Sequence, residues 1–195
     1  MKKAKMTALV VTVIFILSGY IANAQMKWSF EFRPGVNFAT KNLGDANLKT
    51  GFGFEGTLAY KFMPHLGLYA GWSWNKFAAE NSFMGSNMDF EETGYCFGLQ
   101  FIHPIEKTKI NYLLRGGAVY NHIETENSEG KIINDTGHGW GWQIGGGIAI
   151  PFGKRLMLTP EIRYRSLSRD IKVGDVKTPV DLNYVFAGAG LSFSF

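Results

Sequence analysis

The sequence has one cysteine among its 195 residues, Cys96, so an internal disulfide framework is excluded. Small exported domains often depend on such frameworks, and this chain must be stabilised in another way. Gly94 and Gly98 lie two residues to either side of Cys96, which predicts a small packed residue on a shared face. A reactive thiol is disfavoured, because no neighbour in the sequence would lower its pKa.

Long apolar runs are also scarce. The mean hydropathy is −0.05, too polar for a bundle of membrane helices, each of which needs about 20 apolar residues. The short run Ala8–Leu17 follows three early lysines and precedes the small-x-small ending Ala22-Asn23-Ala24. This layout predicts a secretory signal peptide over residues 1–24, cleaved after Ala24, with one exported domain over residues 25–195. The alternative, an uncleaved anchor helix, is disfavoured because ten apolar residues are too few to span a bilayer.

The sequence also lacks a strong excess of positive or negative charge. The formal charge of the whole chain is +4, but Lys2, Lys3 and Lys5 belong to the predicted leader. Without these three lysines, the rest of the chain has 17 of the 20 basic residues and 16 acidic residues, a net charge of +1. No basic patch remains to indicate a nucleic-acid partner.

Alternation of apolar with polar or small residues fills most of the remaining chain. Phe52, Phe54 and Leu58, for example, alternate with Gly53, Glu55 and Thr57. Side chains of successive strand residues point to opposite faces, so each such stretch predicts a strand with one apolar face. Eight stretches show this pattern: Trp28–Ala39, Phe52–Phe62, Leu66–Asn75, Gly94–Phe101, Ile110–Asn121, Trp140–Ile150, Leu156–Arg165 and Tyr184–Phe195.

The connections between these stretches alternate in length. The long ones are Thr40–Thr50, Lys76–Glu92, Glu124–Gly139 and Ser168–Asp181, and the short ones are Met63–His65, His103–Thr108 and Gly153–Arg155. In an antiparallel meander, alternate connections lie at opposite ends. Short turns at one end and long loops at the other are typical of outer-membrane barrels. The sequence therefore predicts an all-β fold, an eight-stranded antiparallel up-and-down transmembrane β-barrel.

The two faces of the strands indicate which side meets lipid. Eight strands enclose little room, which suits glycines and paired charges better than a group of tryptophans. We therefore expect a lumen charge network of Glu31, Arg33, Glu55, Arg115, Glu161, Arg163 and Arg165. We expect interface aromatics on the outside, with Trp72, Trp74, Trp140 and Trp142 near the long loops and Trp28 near the short turns. The alternative is a soluble lipocalin-like barrel or a sandwich.

Five segments carry a family resemblance: FRPGVNFA, GFGFEGTLAYKF, GWGWQIGGGIAIPF, LTPEIRYR and YVFAGAGLSFSF. Because these five segments occur in this order, the chain resembles the small outer-membrane β-barrel proteins of Gram-negative bacteria. It is similar to the OmpA transmembrane domain and OmpX, and most similar to the porin-family barrels of Bacteroidota. The resemblance implies residence in the outer membrane. It also implies that Leu191, Phe193 and Phe195 form the terminal signal read by the barrel-assembly machinery.

Function is less tightly constrained than fold. We expect no catalytic residues, no cofactor and no metal site, since His122 and His138 alone are an incomplete ligand set. The expected partners are outer-membrane lipid, the assembly machinery and an extracellular ligand that the sequence does not identify. The main hypothesis is a structural, binding or adhesion role through four external loops, with the Met- and Phe-containing stretch Ala79–Phe90 as a contact surface. The alternatives are a narrow pore for ions or small solutes, and a lipid-processing outer-membrane enzyme.

Overall fold

The computed structural model describes residues 26–82, 85–173 and 176–195, so the predicted leader lies outside the described residues. The strands are β1 (Trp28–Ala39), β2 (Gly51–Lys61), β3 (Leu66–Ser82), β4 (Gly85–Pro104), β5 (Asn111–Glu126), β6 (Ile132–Asp135), β7 (Gly139–Phe152), β8 (Leu156–Val173) and β9 (Val176–Ser194). No helix within the described part of the chain is long and apolar enough to cross a membrane.

The long strands close into an antiparallel ring in which neighbours in sequence pair and β9 returns to β1. The register is sheared around this ring. A path that starts at Phe30 and moves to the register partner on each next strand passes through Leu58, Ala70, Phe97, Ala118, Trp142, Ser166 and Asn183. The N–H of Thr40 donates to the carbonyl of Asn183, so the path returns to the end of β1. One circuit thus advances ten residues along β1, and such a stagger requires strands that are tilted against the barrel axis.

The closed ring has the predicted eight strands, β1 to β5 and β7 to β9, which confirms the eight-stranded antiparallel barrel. A short ninth strand, β6, lies within the region predicted to be a long loop and pairs with the end of β5 beyond its pairing with β7. Its Ile132 and Ile133 are β-branched residues that favour an extended backbone. The register shifts between Thr125 and Glu126, so this added pairing is irregular.

Two other predicted loops are in fact strand. β3 and β4 stay paired as far as Ser82 and Gly85, and β8 and β9 stay paired as far as Val173 and Val176. These strands have 17 to 20 residues, far more than the about 9–11 that cross a bilayer. They therefore continue beyond the membrane as two hairpins.

Inversion of the alternating pattern explains why the sequence predicts loops where the structure has these hairpins. Within the membrane-crossing part, large apolar residues such as Leu68 and Tyr95 point outward and are exposed. Beyond it, apolar residues such as Phe77 and Phe90 point inward and are fully buried, whereas polar ones point outward. The change follows the solvent outside the barrel, which is hydrocarbon along one part of each strand and water along the next.

Close packing of neighbouring strands depends on glycine in the wall. Gly98 and Gly117 are register partners that both face the lumen. A Cβ on Gly98 would lie 2.2 Å from the carbonyl oxygen of Gly116 and 2.6 Å from the Cα of Gly117. Glycine is therefore required where the backbones of β4 and β5 approach each other closely on the lumen side.

Candidate functional site

All seven charged residues predicted for the lumen lie inside the barrel and are buried, with at most 5 % of each residue exposed. They come from four strands: β1 supplies Glu31 and Arg33, β2 Glu55, β5 Arg115, and β8 Glu161, Arg163 and Arg165. The ring brings together residues more than 100 positions apart in the sequence, such as Glu55 and Arg163.

The part of this network nearer the short turns centres on Glu31. Arg115 binds it with two parallel hydrogen bonds, with Nη1 at 2.9 Å and Nη2 at 3.1 Å from the two carboxylate oxygens. Thr159 donates to the same carboxylate at 2.9 Å, and Arg33 forms a further ion pair with it. Arg33 also lies 2.9 Å from Glu161, which joins β1 to β8. Fork-to-fork contacts of this kind fix geometry as well as charge.

The part nearer the long loops centres on Glu55. Its Oε2 accepts from Arg163 at 2.5 Å and from Arg165 at 3.0 Å. Arg163 also donates from Nε to Glu161 at 2.8 Å, so the two parts form one connected network.

Glu92 is the member that sequence reasoning missed. It was assigned to the loop Lys76–Glu92, but it lies in β4 and is fully buried. Its two carboxylate oxygens both lie 3.1 Å from Nη1 of Arg165, and Tyr184 donates to it at 2.8 Å. The preceding inward residues Phe90 and Met88 are apolar, so the strand pattern around Glu92 did not resemble the rest of the wall.

Within the described lumen, Glu92 balances the charges of the network. Four glutamates now face four arginines in buried ion pairs: Glu31, Glu55, Glu92 and Glu161 against Arg33, Arg115, Arg163 and Arg165. The seven predicted residues alone would leave one positive charge in excess, and an uncompensated buried charge costs several kcal/mol or more. Arg169, nearer the external rim, instead donates to the backbone carbonyls of Asn121 and Trp140.

Neutral side chains add further hydrogen bonds to the network. The Oε1 of Gln143 accepts from Arg165 at 2.7 Å, while its Nε2 donates to the Tyr69 hydroxyl at 2.9 Å. Gln100 accepts from Arg115 at 3.0 Å, and Ser73 accepts from Arg165 at 2.9 Å. Their inward parity in the strand pattern was the available sequence signal. The cavity beside Glu55, Ser73 and Tyr184 is only about 10 Å³, roughly the space of one water molecule.

An apolar lid lies above this network. The first connection, Thr40–Thr50, was predicted to be an external loop, but its Leu43 and Ala46 are fully buried. It turns back through the pair Leu43–Ala46 and then pairs Leu48 with Ala79 of β3. The lid, as we use the term, comprises Leu43, Ala46, Leu48, Phe77, Ala79, Met88, Phe90, Ile123, Leu167, Val180 and Leu182.

The position of the lid contradicts the prediction that Ala79–Phe90 forms an external contact surface. Ala79, Met88 and Phe90 are buried inside the barrel, whereas Phe83 and Met84 lie outside the described residues. The outward residues of this hairpin are polar. Lys76, for example, contacts Asp89, Glu91 and Glu126 at 2.8–3.0 Å.

The predicted interface aromatics lie on the outer wall. Trp28, Trp72, Trp140 and Trp142 are exposed, whereas Trp74 is half-buried, and its indole N–H donates to Glu91 at 2.8 Å. An amphipathic ring that keeps a polar partner suits the boundary between lipid and water.

The residues predicted to signal assembly lie at the seam of the ring. Leu191 and Phe193 point outward and are exposed, and the ring of Phe195 is 6.3 Å from that of Phe193. The Phe195 N–H donates to the Trp28 carbonyl at 2.9 Å, and the Trp28 N–H donates to the Phe195 carbonyl at 3.2 Å. The two ends of the barrel wall therefore meet at this pair.

His122 and His138 also meet, and carboxylates join them. Their rings stack with centroids 4.4 Å apart, and the Nδ1 of His122 lies 2.9 Å from Asp135 and 3.8 Å from Glu124. Partial burial would raise the pKa of Asp135, but hydrogen bonds from His122 and the Gly137 N–H, with the nearby His138, lower it below its usual value. Asp135 was missed because its position depends on β6.

A closed antiparallel barrel with an apolar outer wall and a polar, charged interior defines an integral β-barrel membrane protein. The model of the outer membrane protein β-barrel domain family matches residues 9–195, and the chain belongs to this family. The lipocalin-like and sandwich alternatives are therefore wrong, and the protein resides in the outer membrane of a Gram-negative bacterium. The assignment to a Bacteroidota type stays a prediction.

Solved structures show the same fold at low sequence identity. Neisserial surface protein A is 14% identical with a TM-score of 0.64, and the match covers 89% of this chain and 99% of that one. OprG from Pseudomonas aeruginosa is 14% identical with a TM-score of 0.56, covering 86% and 96%. Outer membrane protein W from E. coli is 13% identical with a TM-score of 0.54, covering 88% and 100%. A comparison with curated protein sequences finds no significant match.

Proposed function

We propose that this protein is a non-enzymatic outer-membrane barrel that acts through its external surface, in a structural, binding or adhesion role. The observation that carries this proposal is the filled lumen. A neutral network of four ion-paired glutamates and four arginines occupies the interior, and the apolar lid closes it towards the long-loop end. An interior of this kind supports a rigid scaffold rather than a path for solutes.

The shape of the external end supports the same proposal. The β3–β4 and β8–β9 hairpins continue the wall beyond the membrane, and the buried lid holds them against the first connection. The outward side of the β3–β4 hairpin and the adjoining end of β5 carries three carboxylates, Asp89, Glu91 and Glu126, around Lys76. Binding surfaces on rigid elements lose less conformational entropy on contact than surfaces on mobile loops do. We therefore expect a ligand with cationic or hydrogen-bond-donating groups.

A pair of measurements tests the proposal. Purified protein refolded into planar bilayers should show no steady single-channel conductance. Cells that display the protein should bind to at least one member of an immobilised panel of proteins and glycans. Cells that display the variant Asp89→Asn/Glu91→Gln serve as a control for the acidic surface, and should bind less. Steady conductance without surface binding would overturn the proposal in favour of a pore.

Biogenesis forms a further part of the proposal. We infer export by the signal peptide over residues 1–24, so that mature protein begins at Gln25, and recognition of Leu191, Phe193 and Phe195 by the barrel-assembly machinery. N-terminal sequencing of protein from the outer-membrane fraction tests the first point. A sequence that still began at Met1 would contradict it.

A further inference from the structure

A cluster of three metal-ligating side chains, His122, Glu124 and Asp135, lies on the outside of the barrel, beyond its membrane-crossing part. His122 and Glu124 are two residues apart on β5, so they share the outward face. Asp135 of β6 is the register partner of Glu124, and His138 follows three residues later. On β5 the cluster begins two residues beyond Tyr120, an exposed aromatic of the outer wall.

The separations between ligand atoms fit one small cation. The Nδ1 of His122 lies 2.9 Å from an oxygen of Asp135 and 3.8 Å from an oxygen of Glu124, and one ligand atom from each of the three lies within 4.8 Å of the others. With zinc-to-ligand bonds of about 2.0–2.2 Å, neighbouring ligand atoms of a tetrahedral site are roughly 3.3 Å apart. Small side-chain rotations would change the present separations of these ligand atoms into those of a tetrahedral zinc site.

The backbone holds these side chains in place. Asp135 accepts a hydrogen bond from the Gly137 N–H at 2.8 Å, and Gly137 has a φ of 68°, the left-handed conformation that favours glycine. Thr136 anchors the turn, since its N–H donates to the Ile123 carbonyl at 3.1 Å. The turn returns the chain towards β5, so the ring of His138 stacks on that of His122 with an angle of 16° between their planes.

We propose that His122, Glu124 and Asp135 form a binding site for a divalent transition-metal ion of the zinc class, with water in the remaining position. Imidazole nitrogen with carboxylate oxygen is a donor set that suits Zn²⁺, whereas Ca²⁺ and Mg²⁺ prefer six or more oxygens. The ion takes the place of the proton between His122 and Asp135 and links β6 to the end of β5. This site goes beyond the proposed function, because neither the closed lumen nor surface binding requires it.

The chain provides a matched control at its other end. His65 and His103 also lie close, with ring centroids 4.5 Å apart. Their Nδ1 atoms interact with the backbone carbonyls of Ile102 and Pro104 rather than with carboxylates. A binding assay that responds to any pair of neighbouring histidines would respond to both clusters.

Isothermal titration calorimetry with zinc chloride tests the proposal on the untagged mature barrel refolded in detergent. We expect about one zinc ion per barrel, with affinity unaffected by excess magnesium or calcium. His122→Gln and Asp135→Asn should each weaken binding at least tenfold, and His65→Gln/His103→Gln should leave it unchanged. Anomalous migration on unheated gels checks that each variant is folded, and Glu124→Gln replaces any variant that is not.

Two results would overturn the proposal. Folded wild-type barrel that binds no zinc at micromolar concentrations would show that the cluster is only hydrogen-bonded. Equal zinc affinity for the wild type and the His122, Asp135 and Glu124 variants would show that the ion binds elsewhere.

Discussion

Arg165 lies with one guanidinium nitrogen 3.1 Å from each carboxylate oxygen of Glu92, although the two residues are 73 positions apart in the sequence. Glu92 also accepts from Tyr184 and Asn75, so its charge is fully enclosed by donors. This contact ties β4 to β8 across the lumen at the boundary between the charge network and the lid. The barrel is therefore braced from the inside where the wall leaves the membrane.

Glu92→Gln should destabilise the folded barrel strongly, because it leaves the positive charge of Arg165 with Glu55 as its remaining buried counter-ion. Loss of one partner of a buried ion pair costs about 3–5 kcal/mol. Urea unfolding in lipid vesicles measures the change. The control is Glu129→Gln in the exposed β5–β6 turn, which should change stability by less than about 0.5 kcal/mol. Equal unfolding midpoints for the two variants would contradict the bracing role of Glu92.

Leu43→Ala should lower the free energy of unfolding by about 2–5 kcal/mol, since Leu43 is fully buried in the lid and its removal leaves a cavity. Leu68→Ala is the matched control, because Leu68 is 53% exposed on the outer wall and lipid can fill the space. The same vesicle assay compares them. If Leu43→Ala cost no more than Leu68→Ala, the first connection would not be a packed lid.

Deletion of Phe195 should sharply reduce insertion into the outer membrane of cells while purified protein still refolds in detergent. The deletion removes two backbone hydrogen bonds to Trp28, and each contributes about 0.5–1.5 kcal/mol net, which is too little to unfold a closed barrel. Phe195→Leu keeps both bonds, and we expect it to cost about 1 kcal/mol. Outer-membrane fractionation and refolding yields are the two measurements. Normal insertion of the deletion in cells would leave Phe195 as an ordinary interface residue.

Trypsin added to intact cells should cut at Lys131, which is exposed in the turn between β5 and β6. Lys154 and Arg155 are exposed in the turn between β7 and β8, at the opposite end of the barrel, and should be cut only after the outer membrane is opened. Mass spectrometry of the fragments shows which sites were used. Cleavage at Lys154 in intact cells would invert the orientation.

Most of the wall and part of the interior could be predicted from the sequence. Alternation placed all of the predicted lumen charges inside, because the side-chain period of a strand is two and one face had room only for small or paired residues. The same reasoning did not predict that Glu92, Met88 and Phe90 lie inside the barrel. Beyond the membrane the apolar face of each strand points inward, so the pattern that identifies strands is reversed there.

The sequence by itself determined the class of fold and the direction of the two faces, because successive side chains of a strand point to opposite sides. Only the tertiary structure decided which arginine meets which glutamate, since a shear of ten residues around the ring sets those partners. It also decided that Leu43 enters the barrel mouth and that Asp135 reaches His122. Both contacts join segments whose local sequence favours a solvated loop, and burial or pairing with a distant strand outweighs that local preference.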